Sequence, residues 1–519
     1  MTRGTPRRQD VINVIDQDKC IGCGTCFKSC SLDVFRLDTD QRKVSPCMAA
    51  CPAGTDIRGY NALVQQGKLE EAAKKLRQTN PFPGITGRIC FHPCEKECAR
   101  NAVDGAVNIN AVEQFLGDLG LPEEQPAIRH TAKVAVVGSG PAGLSCACFM
   151  ARMGYPVTVF EAAPHPGGML RYGIPAYRFP REKLDTEIAS ILSTGVEVHT
   201  EVTVGKDISF EQLHKDYDCL YVAIGAHTDK KTGIPGEDSR NVMSAVEMLK
   251  AIGDDVMPDF TGKQVVVIGG GNVAMDVTRS SIRLGASKVS CVYRRRLEDM
   301  TALPDEVAGA TAEGAEMMTL AAPVRIEADE DGVARALWVQ PQIIGDVDSS
   351  GRPKPNKAAL DQVRIPADII VVAIGQGIEI QGFDQAGVPI TRGGRLVAAL
   401  SGQVNDMDNI FAGGDCVTGP ATAIRAIAAG KVAAANIDEH LGFHHEIRVD
   451  VDIPAPRLNN RPPHGRINTT ERQVCERKCD FEDIECGLTE EGAVTEASRC
   501  LRCDHFGYGI FRGGRDIKW

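Results

Sequence analysis

The sequence has no uninterrupted run of 18 or more apolar residues, so no segment of it is long enough to cross a bilayer as a helix. Its first residues, MTRGTPRRQD, lead into polar sequence rather than into the apolar centre of a secretory signal. Positive charge is scarce: 58 lysines and arginines face 69 aspartates and glutamates, a formal net charge of −11 that argues against nucleic acid as a partner. We therefore expect a soluble, cytoplasmic protein that binds neither nucleic acid nor membrane.

Cysteine, by contrast, is abundant, with 19 among 519 residues. A chain of this length predicts about three or four domains. Because no secretory signal is present, the clustering of these cysteines indicates metal rather than disulfides. Fourteen lie in two terminal regions. The others are expected to be small buried apolar residues: Cys146, Cys148, Cys219, Cys291 and Cys416.

The first cysteine group is a compact run with x2, x2 and x3 spacing. Its members are Cys20, Cys23, Cys26 and Cys30. The run resembles half of a bacterial ferredoxin and predicts a [4Fe–4S] cluster, with zinc as the alternative. Ser31 replaces the usual following proline, and the second half of a two-cluster ferredoxin is missing. Since the fourth cysteine of such a run often serves the other cluster, the role of Cys30 stays open.

A second cysteine group begins in a stretch of predicted short helices and turns. It comprises Cys47, Cys51, Cys90, Cys94 and Cys98. Between these cysteines, Tyr60–Gln78 has apolar residues near helical spacing and predicts an amphipathic helix. We expect a small helical domain that holds inorganic clusters and has little core of its own.

The stretch around which the chain is organised runs from Val134 to Ala162. A buried strand leads into Gly-x-Gly-x-x-Gly and a helix, and the second strand, Val157–Phe160, ends in Glu161. This order predicts a dinucleotide site, with the pyrophosphate at the helix N-terminus and the acid on a ribose hydroxyl. The turn-rich segment that follows predicts a phosphate contact from an arginine, with an ordinary surface loop as the alternative. The candidate contacts are Gly138, Ser139, Gly140, Pro141, Ala142, Gly143, Glu161, Gly168, Met169, Arg178 and Val204.

A second fingerprint, VVVIGGGNVAMD, starts at Val265. Its second strand ends in three arginines instead of an acid, which suits the 2′-phosphate of NADP(H) and disfavours NAD(H). The alternative is that these arginines only decorate a solvated turn. The candidate contacts are Gly269, Gly271, Asn272, Val273, Arg294, Arg295 and Gly375.

Two closing strands have similar sequences, VAIG at Val222–Gly225 and VVAIG before Gln376, which predicts two similar domains, one inserted into the other. Farther on, a strand delivers Gly414 and Asp415, and a helix begins near Ala421. Such an acid suits the ribityl chain or a phosphate of a flavin, with Asp415 as a helix cap as the alternative. Gly414, Asp415, Thr422 and Ala423 are the candidates here.

The last part of the chain carries further cysteines beyond a linker over residues 442–463. Cys475, Cys479 and Cys486 precede a predicted helix capped by Thr489, which ends at Cys500-x2-Cys503. Two cysteines cannot fill a four-ligand site, so this last pair needs partners from elsewhere in the chain.

From Cys47 to Cys503 the chain resembles the family of the bacterial glutamate synthase small subunit, the large subunit of NADH-dependent ferredoxin:NADP oxidoreductase and the N-terminal half of dihydropyrimidine dehydrogenase. The resemblance rests on CMAACP, TGRICFHPCEKEC, VNINAVEQF, GSGPAG, GGMLRYGIP, GGGNVAMD, VYRRR and AGGDC, which occur in family order. It implies FAD at the first fingerprint, NADP(H) at the second and two [4Fe–4S] clusters in the helical domain.

The resemblance also implies ligand sets. In the family the terminal CxxC helix precedes the cluster domain, so its position here implies a circular rearrangement. One cluster would take Cys47, Cys98, Cys500 and Cys503, and the other Cys51, Cys90, Cys94 and the oxygen of Glu113. The ferredoxin-like run would add a third cluster. Cys475, Cys479 and Cys486 would complete that third cluster or hold a fourth centre.

The expected fold is α/β, with two nested Rossmann-like domains, an α-helical iron–sulfur domain and a ferredoxin-like segment. The predicted boundaries are 1–45 ferredoxin-like, 46–130 helical two-cluster, 131–240 and 376–445 FAD, 241–375 NADP, and 446–519 linker and cysteine-bearing helix.

The resemblance implies a subunit of a hetero-oligomer that moves electrons between NADP(H) and ferredoxin or a ferredoxin-dependent partner. No catalytic side chain is expected, because the cofactors carry the chemistry. The alternatives are a glutamate synthase small subunit and a non-catalytic electron-transfer module.

Overall fold

The computed structural model describes residues 45–121, 126–348, 351–380, 382–405, 407–454 and 464–503. They form two compact units. The helical unit comprises residues 45–121, 446–454, 464–469 and 487–503, and the sheet unit comprises residues 126–445 and 470–486, apart from the gaps just given. The ferredoxin-like run of cysteines lies outside the described residues.

The helical unit is built from short helices. They are Pro46–Ala50, Ile57–Val64, Leu69–Arg77, Pro83–Ile89, Pro93–Lys96, the 3-10 turn Ala99–Ala102, Ile109–Asp118 and Glu490–Ala497. The last helix, Glu490–Ala497, is distant in sequence from the others, yet its side chains share one apolar core with them. This core includes Leu63, Leu116 and Ala493. Thr489 caps the last helix, as predicted, because its side chain accepts a hydrogen bond from the Gly492 amide at 3.1 Å.

One helix was predicted over Tyr60–Gln78, and that prediction is wrong: two helices, Ile57–Val64 and Leu69–Arg77, occupy this stretch. Gly67 has φ 71°, a left-handed conformation that ends the first helix, and its amide donates to the Val64 carbonyl. The apolar spacing continues across the break, so the pattern alone did not reveal it.

The sheet unit contains sixteen described strands. They are β1 (Val134–Val137), β2 (Val157–Phe160), β3 (Glu197–His199), β4 (Cys219–Val222), β5 (Thr228–Asp229), β6 (Val242–Ser244), β7 (Gln264–Ile268), β8 (Lys288–Val292), β9 (Glu316–Met318), β10 (Ala321–Ala328), β11 (Ala334–Val347), β12 (Pro353–Lys357), β13 (Val363–Pro366), β14 (Ile369–Val372), β15 (Gln376–Gly377) and β16 (Ile410–Ala412).

Two five-stranded parallel sheets dominate this unit, with orders β16-β4-β1-β2-β3 and β6-β14-β7-β8-β9. All strands of the second sheet fall between β4 and β16 of the first. Antiparallel β5 and β15 carry the chain between the two sheets. The predicted α/β fold, with one domain inserted into another, is confirmed. An antiparallel sheet of β10 to β13 completes the inserted part.

Helices cover the parallel sheets, as such sheets require. They are Pro141–Arg152, Met169–Tyr172, Arg181–Leu192, Phe210–Asp216, Ala245–Gly253, Asn272–Arg283, the 3-10 turn Leu297–Asp299, Pro304–Ala312, Asp415–Thr418, Ala423–His440 and Val474–Arg477. The five mid-chain cysteines are buried, as predicted. Within the described ranges, no helix is both long and apolar enough to span a bilayer.

Candidate functional site

The first glycine motif joins β1 to the helix Pro141–Arg152. Gly138 has φ 101°, and a Cβ added there would lie 2.6 Å from the Ala223 carbonyl oxygen. A Cβ on Gly143 would lie 1.9 Å from the Gly138 carbonyl oxygen. A Cβ on Gly140 would meet nothing within 4 Å. The outer two glycines are therefore required by packing, whereas Gly140 leaves open space at the start of the helix, where a pyrophosphate fits.

Glu161 follows β2 and holds this loop. Its Oε2 accepts hydrogen bonds from the Ser139 amide at 2.8 Å and the Ser139 hydroxyl at 2.5 Å, and its Oε1 accepts from the Ala163 amide at 2.8 Å. The carboxylate is buried. Besides any contact with a ribose, Glu161 therefore fixes the conformation of the glycine loop.

Two other candidate segments meet the same loop. Gly168 lies against Gly140, since a Cβ on Gly168 would be 2.8 Å from the Gly140 Cα, and Met169 starts the next helix. A Cβ on Gly414 would lie 2.9 Å from the Ala142 Cβ. The structure thus brings together residues that are more than 270 positions apart in sequence.

Asp415 is the first residue of the short helix Asp415–Thr418, whose N-cap is Gly414. Burial raises the pKa of Asp415 to about 6, while the Ala421 amide partly offsets this. Thr422 is the N-cap of the long helix that begins at Ala423. An acid and a helix N-terminus therefore lie a few residues apart, as the flavin prediction requires.

Two candidates of the first site have other roles in the structure. Arg178 is buried, and its guanidinium pairs with Asp276 at 2.9 Å and with Glu306 at 3.0 Å, so its charge is already matched by two carboxylates of the inserted domain. Val204 forms a one-residue bridge with Ile208 and packs against the apolar core of the first sheet.

The second glycine motif joins β7 to the helix Asn272–Arg283. A Cβ on Gly269 would lie 2.3 Å from the Ala373 carbonyl oxygen, and one on Gly271 would have only the Thr301 hydroxyl nearby, at 3.4 Å. Asn272 Oδ1 accepts a hydrogen bond from the Leu303 amide at 2.8 Å, and Val273 packs against the core of the second sheet. Gly375 has φ 129° just beyond β14. This arrangement repeats the first site.

The three arginines after β8 have different environments. Arg295 is buried, and it donates to Asp348 at 2.6 Å and to the Pro353 carbonyl at 3.0 Å. Arg296 makes a bidentate pair with Asp299 at 2.8 and 2.9 Å. Arg294 is exposed, and within the described residues no ion pair is recorded for it. Only Arg294 therefore presents an uncommitted positive charge at the position where a 2′-phosphate is expected.

Four cysteines line one pocket of the helical unit: Cys47, Cys98, Cys500 and Cys503. The Cys47 sulfur lies 3.2 Å from the Ser45 hydroxyl. Burial raises the pKa of Cys47 to about 12, so its thiolate is unfavourable unless positive charge is supplied. Bound iron supplies such charge, and the four sulfurs therefore fit a cubane site.

A second group comprises Cys51, Cys90, Cys94 and Glu113. Burial, followed by the negative charges of Glu113 and Cys51, raises the pKa of Cys90 to about 12, and burial with Glu113 also raises that of Cys94. Burial raises the pKa of Glu113 to about 7. Cys94 and Glu113 are buried and Cys51 and Cys90 are half-buried, and these groups lie close enough for the charges of some to raise the pKa of others.

The spacing within these groups differs from that of a single-ion site. Among the described residues, no three His, Cys, Asp or Glu side chains converge closely enough to hold one metal ion. Each sulfur ligand of a cubane binds a different iron and so stands farther from its neighbours. The arrangement is thus compatible with clusters.

The remaining cysteines, Cys475, Cys479 and Cys486, are exposed and belong to the sheet unit. Their segment is anchored by Arg477, which pairs with Glu313 at 3.2 Å and with Glu471. Sequence reasoning grouped this segment with the terminal helix, whereas the structure assigns residues 470–486 to the other unit.

Sequence reasoning also missed two side chains around Glu113. The Tyr60 hydroxyl donates to Glu113 Oε1 at 3.1 Å, and the Thr86 hydroxyl lies 3.3 Å from Oε2. Tyr60 appeared only as part of an amphipathic pattern, and nothing local distinguishes it from a core residue.

Two nucleotide-binding sheets and two groups of cysteines in a helical unit define a nucleotide-dependent oxidoreductase with iron–sulfur domains. Residues 132–430 match the pyridine nucleotide-disulphide oxidoreductase family, and the chain belongs to that family. Residues 41–124 match domain II of dihydropyrimidine dehydrogenase, described as a 4Fe–4S cluster domain, and residues 13–35 match a 4Fe–4S binding domain. The chain is an NADPH-dependent oxidoreductase with FAD- and NADP-binding folds and 4Fe–4S domains.

Similar proteins are known across most of the chain. It is 34% identical to the beta subunit of NADP(+)-dependent formate dehydrogenase of Moorella thermoacetica, over 90% of this chain and 72% of that one. It is 33% identical to the beta subunit of NADPH-Fe(3+) oxidoreductase of Geobacter sulfurreducens, over 88% and 75%. It is 34% identical to the glutamate synthase [NADPH] small chain of Halomonas elongata, over 76% and 88%.

The fold is similar to that of FprA from Mycobacterium tuberculosis, whose structure was determined in complex with NADPH. The TM-score is 0.52 at 21% identity, over 60% of this chain and 85% of FprA. At this identity the similarity concerns the fold alone.

Proposed function

We propose that the chain is an electron-transfer subunit of a cytoplasmic hetero-oligomer, which moves electrons between NADP(H) and ferredoxin or a ferredoxin-dependent partner enzyme. The proposal rests on the pocket lined by Cys47, Cys98, Cys500 and Cys503, in a chain that also contains two nucleotide-binding sheets. The names of the Moorella and Geobacter relatives, both subunits that use NADP or NADPH, support it.

The residues of the sheet unit would bind and orient the two nucleotides. The amides after Gly138 would hold a flavin pyrophosphate, and Asp415 would contact its ribityl chain. The N-terminus of the helix beginning at Asn272 would hold the NADP(H) pyrophosphate, and Arg294 would pair with the 2′-phosphate. When bound, FAD would supply hydride exchange with NADP(H) and single-electron exchange with clusters. The protein has only to bind and orient the two nucleotides, so no side chain has to act as an acid or base.

The cysteines of the helical unit would hold two [4Fe–4S] clusters, one in the four-cysteine pocket and one with Glu113 as an oxygen ligand. Cys20, Cys23, Cys26 and Cys30 would hold a third, supported by the 4Fe–4S binding-domain match at residues 13–35. The pairs Cys47–Cys98 and Cys500–Cys503 come from distant parts of the chain, which is why the fold must form before this site exists.

A glutamate synthase small subunit is the second candidate, because the chain is 34% identical to the Halomonas small chain. The match covers 88% of that relative but 76% of this chain. The additional 4Fe–4S match at residues 13–35 favours a ferredoxin-linked role over this candidate. Copurification with a large amidotransferase subunit would favour the glutamate synthase role instead.

The proposal is tested by anaerobic purification followed by assays of iron, sulfide and flavin. About twelve irons and one FAD per chain are expected from three cubanes. Titration with NADPH should bleach the flavin before NADH does at equal concentration. Reduction by NADH alone would refute the cofactor assignment, and about eight irons would remove the ferredoxin-like cluster.

Cysteine variants then locate the clusters. Cys500→Ser and Cys503→Ser should each lower the iron content by up to about four atoms while FAD remains bound. Cys479→Ser, an exposed cysteine of the sheet unit, is the matched control and should leave the signals of the two helical-unit clusters unchanged. Unaltered iron and cluster spectra in both terminal variants would refute the four-cysteine assignment.

A further inference from the structure

The carboxyl group of Glu113 is held by hydroxyl groups on both of its oxygens. Tyr60 Oη donates to Oε1 at 3.1 Å, and Thr86 Oγ1 lies 3.3 Å from Oε2. Tyr60 has no solvent-exposed surface, and Glu113 is buried beside it. Two hydroxyl groups of the protein therefore orient the carboxylate.

The two hydroxyls are not equivalent. Thr86 Oγ1 accepts a hydrogen bond from Asn80 Nδ2 at 2.7 Å, and its single hydrogen can reach the Phe82 carbonyl at 3.0 Å, the Pro83 carbonyl at 3.3 Å or Glu113. The Phe82 carbonyl is the nearest of the three. For the Tyr60 hydroxyl, Glu113 is the one acceptor recorded among the described residues. Tyr60 is therefore the dedicated donor to this carboxylate.

We propose that Tyr60 is a positioning residue for an iron–sulfur cluster: its hydroxyl holds Glu113 as the oxygen ligand beside Cys51, Cys90 and Cys94 and tunes the reduction potential of that cluster. This inference rests on the proposed function, in which Glu113 is a cluster ligand. It goes further because it assigns the control of that ligand to a residue that touches no iron.

The direction of the effect follows from the hydrogen bond. A donor on a carboxylate withdraws electron density from it, so the carboxylate donates less to iron and the reduced cluster is favoured. Such a bond in a buried region is stronger than in water. The Tyr60 hydroxyl therefore raises the potential of the cluster with the oxygen ligand. Its effect on the four-cysteine cluster is smaller, because its recorded hydrogen bond among the described residues goes to Glu113.

The test is Tyr60→Phe, which removes one hydroxyl and keeps the ring in the core. The purified full-length protein is titrated anaerobically while electron paramagnetic resonance follows each cluster. One cluster should shift to lower potential with an altered signal, or lose its iron, while the other cluster shifts clearly less and flavin reduction by NADPH stays unchanged.

The sheet unit offers a matched control. Tyr155 also donates its hydroxyl to a carboxylate, Asp438 Oδ1 at 2.8 Å, and Tyr155→Phe should change neither cluster. Equal cluster signals and potentials in Tyr60→Phe and wild-type protein would overturn the inference.

A double-mutant cycle distinguishes the inference from the function on which it rests. Glu113→Cys alone should change the signal and potential of this cluster, and if it does not, the ligand assignment is wrong. In the Glu113→Cys background the carboxylate is gone, so Tyr60→Phe should produce no further shift. If Glu113→Cys changes the cluster and Tyr60→Phe shifts it equally in both backgrounds, only the role of Tyr60 is refuted.

Discussion

Arg294 should determine the preference for NADPH by itself, although it stands in a run of three arginines. Arg295 is committed to Asp348, and Arg296 is committed to Asp299. Replacing Arg294 with alanine removes an exposed guanidinium group. Among the described residues it breaks no recorded ion pair. The change should therefore affect the ligand and not the fold.

The size of the effect can be worked out from the lost contact. A hydrogen bond between charged groups contributes about 1.5–3 kcal/mol, and about 1.4 kcal/mol corresponds to a factor of ten. Arg294→Ala should thus raise the Kd for NADPH about 10- to 100-fold. NADH carries no 2′-phosphate, so its Kd should stay within about twofold.

The assay is anaerobic stopped-flow reduction of the bound flavin at a series of NADPH and NADH concentrations. Arg296→Ala is the control, because it removes a neighbouring arginine whose charge is already paired, and it should change the selectivity little. If Arg294→Ala weakens NADPH and NADH equally, or if Arg296→Ala loses as much selectivity, the assignment of the 2′-phosphate to Arg294 is refuted.

Three further predictions concern the sheet unit. Gly140→Ala should leave the FAD-free fold intact but lower the flavin content per chain, because the new methyl group occupies the open space expected to receive the pyrophosphate. Gly143→Ala should abolish soluble expression, because its methyl group would lie 1.9 Å from the Gly138 carbonyl oxygen. Equal flavin content in Gly140→Ala and wild-type protein would contradict the first expectation. Arg178→Met should cost about 3–5 kcal/mol in urea unfolding by leaving Asp276 unpaired in the interior, and a loss below about 1 kcal/mol would show that the pair is not needed. Since burial raises the pKa of Asp415 to about 6, the folded FAD-free protein binds this proton more tightly than the unfolded chain, and stability should fall as pH rises from about 4 to 6; thermal unfolding of Asp415→Asn should lack this decline.

Local sequence was sufficient to predict the two glycine fingerprints. In each, the strand, the turn and the helix follow one another within about thirty residues, so propensity and packing act on neighbouring positions. The nesting of the domains was also predictable, since the two closing strands have similar sequences. Helix ends were less accessible: Gly67 interrupts an apolar pattern that continues on both sides of it.

The chemical state of individual side chains was not predictable. Three adjacent arginines look alike in sequence, and they differ because Asp348 reaches Arg295 from a distant hairpin. Arg178 looked like a phosphate ligand because Asp276 and Glu306 are about 100 and 130 positions away. The four-cysteine pocket followed from the family resemblance alone, since no periodicity relates Cys47 to Cys500.

The two cysteine groups must also mature at different times during synthesis. Cys51, Cys90, Cys94 and Glu113 have all been translated by position 113, whereas the last residue of the four-cysteine pocket is Cys503, 390 positions after Glu113. At about 5–20 residues per second this delay is about 20–80 s. If the proposed ligand sets are correct, the group with Glu113 would be available to iron on the nascent chain, whereas the four-cysteine group would be completed only after the nucleotide-binding domains have been translated.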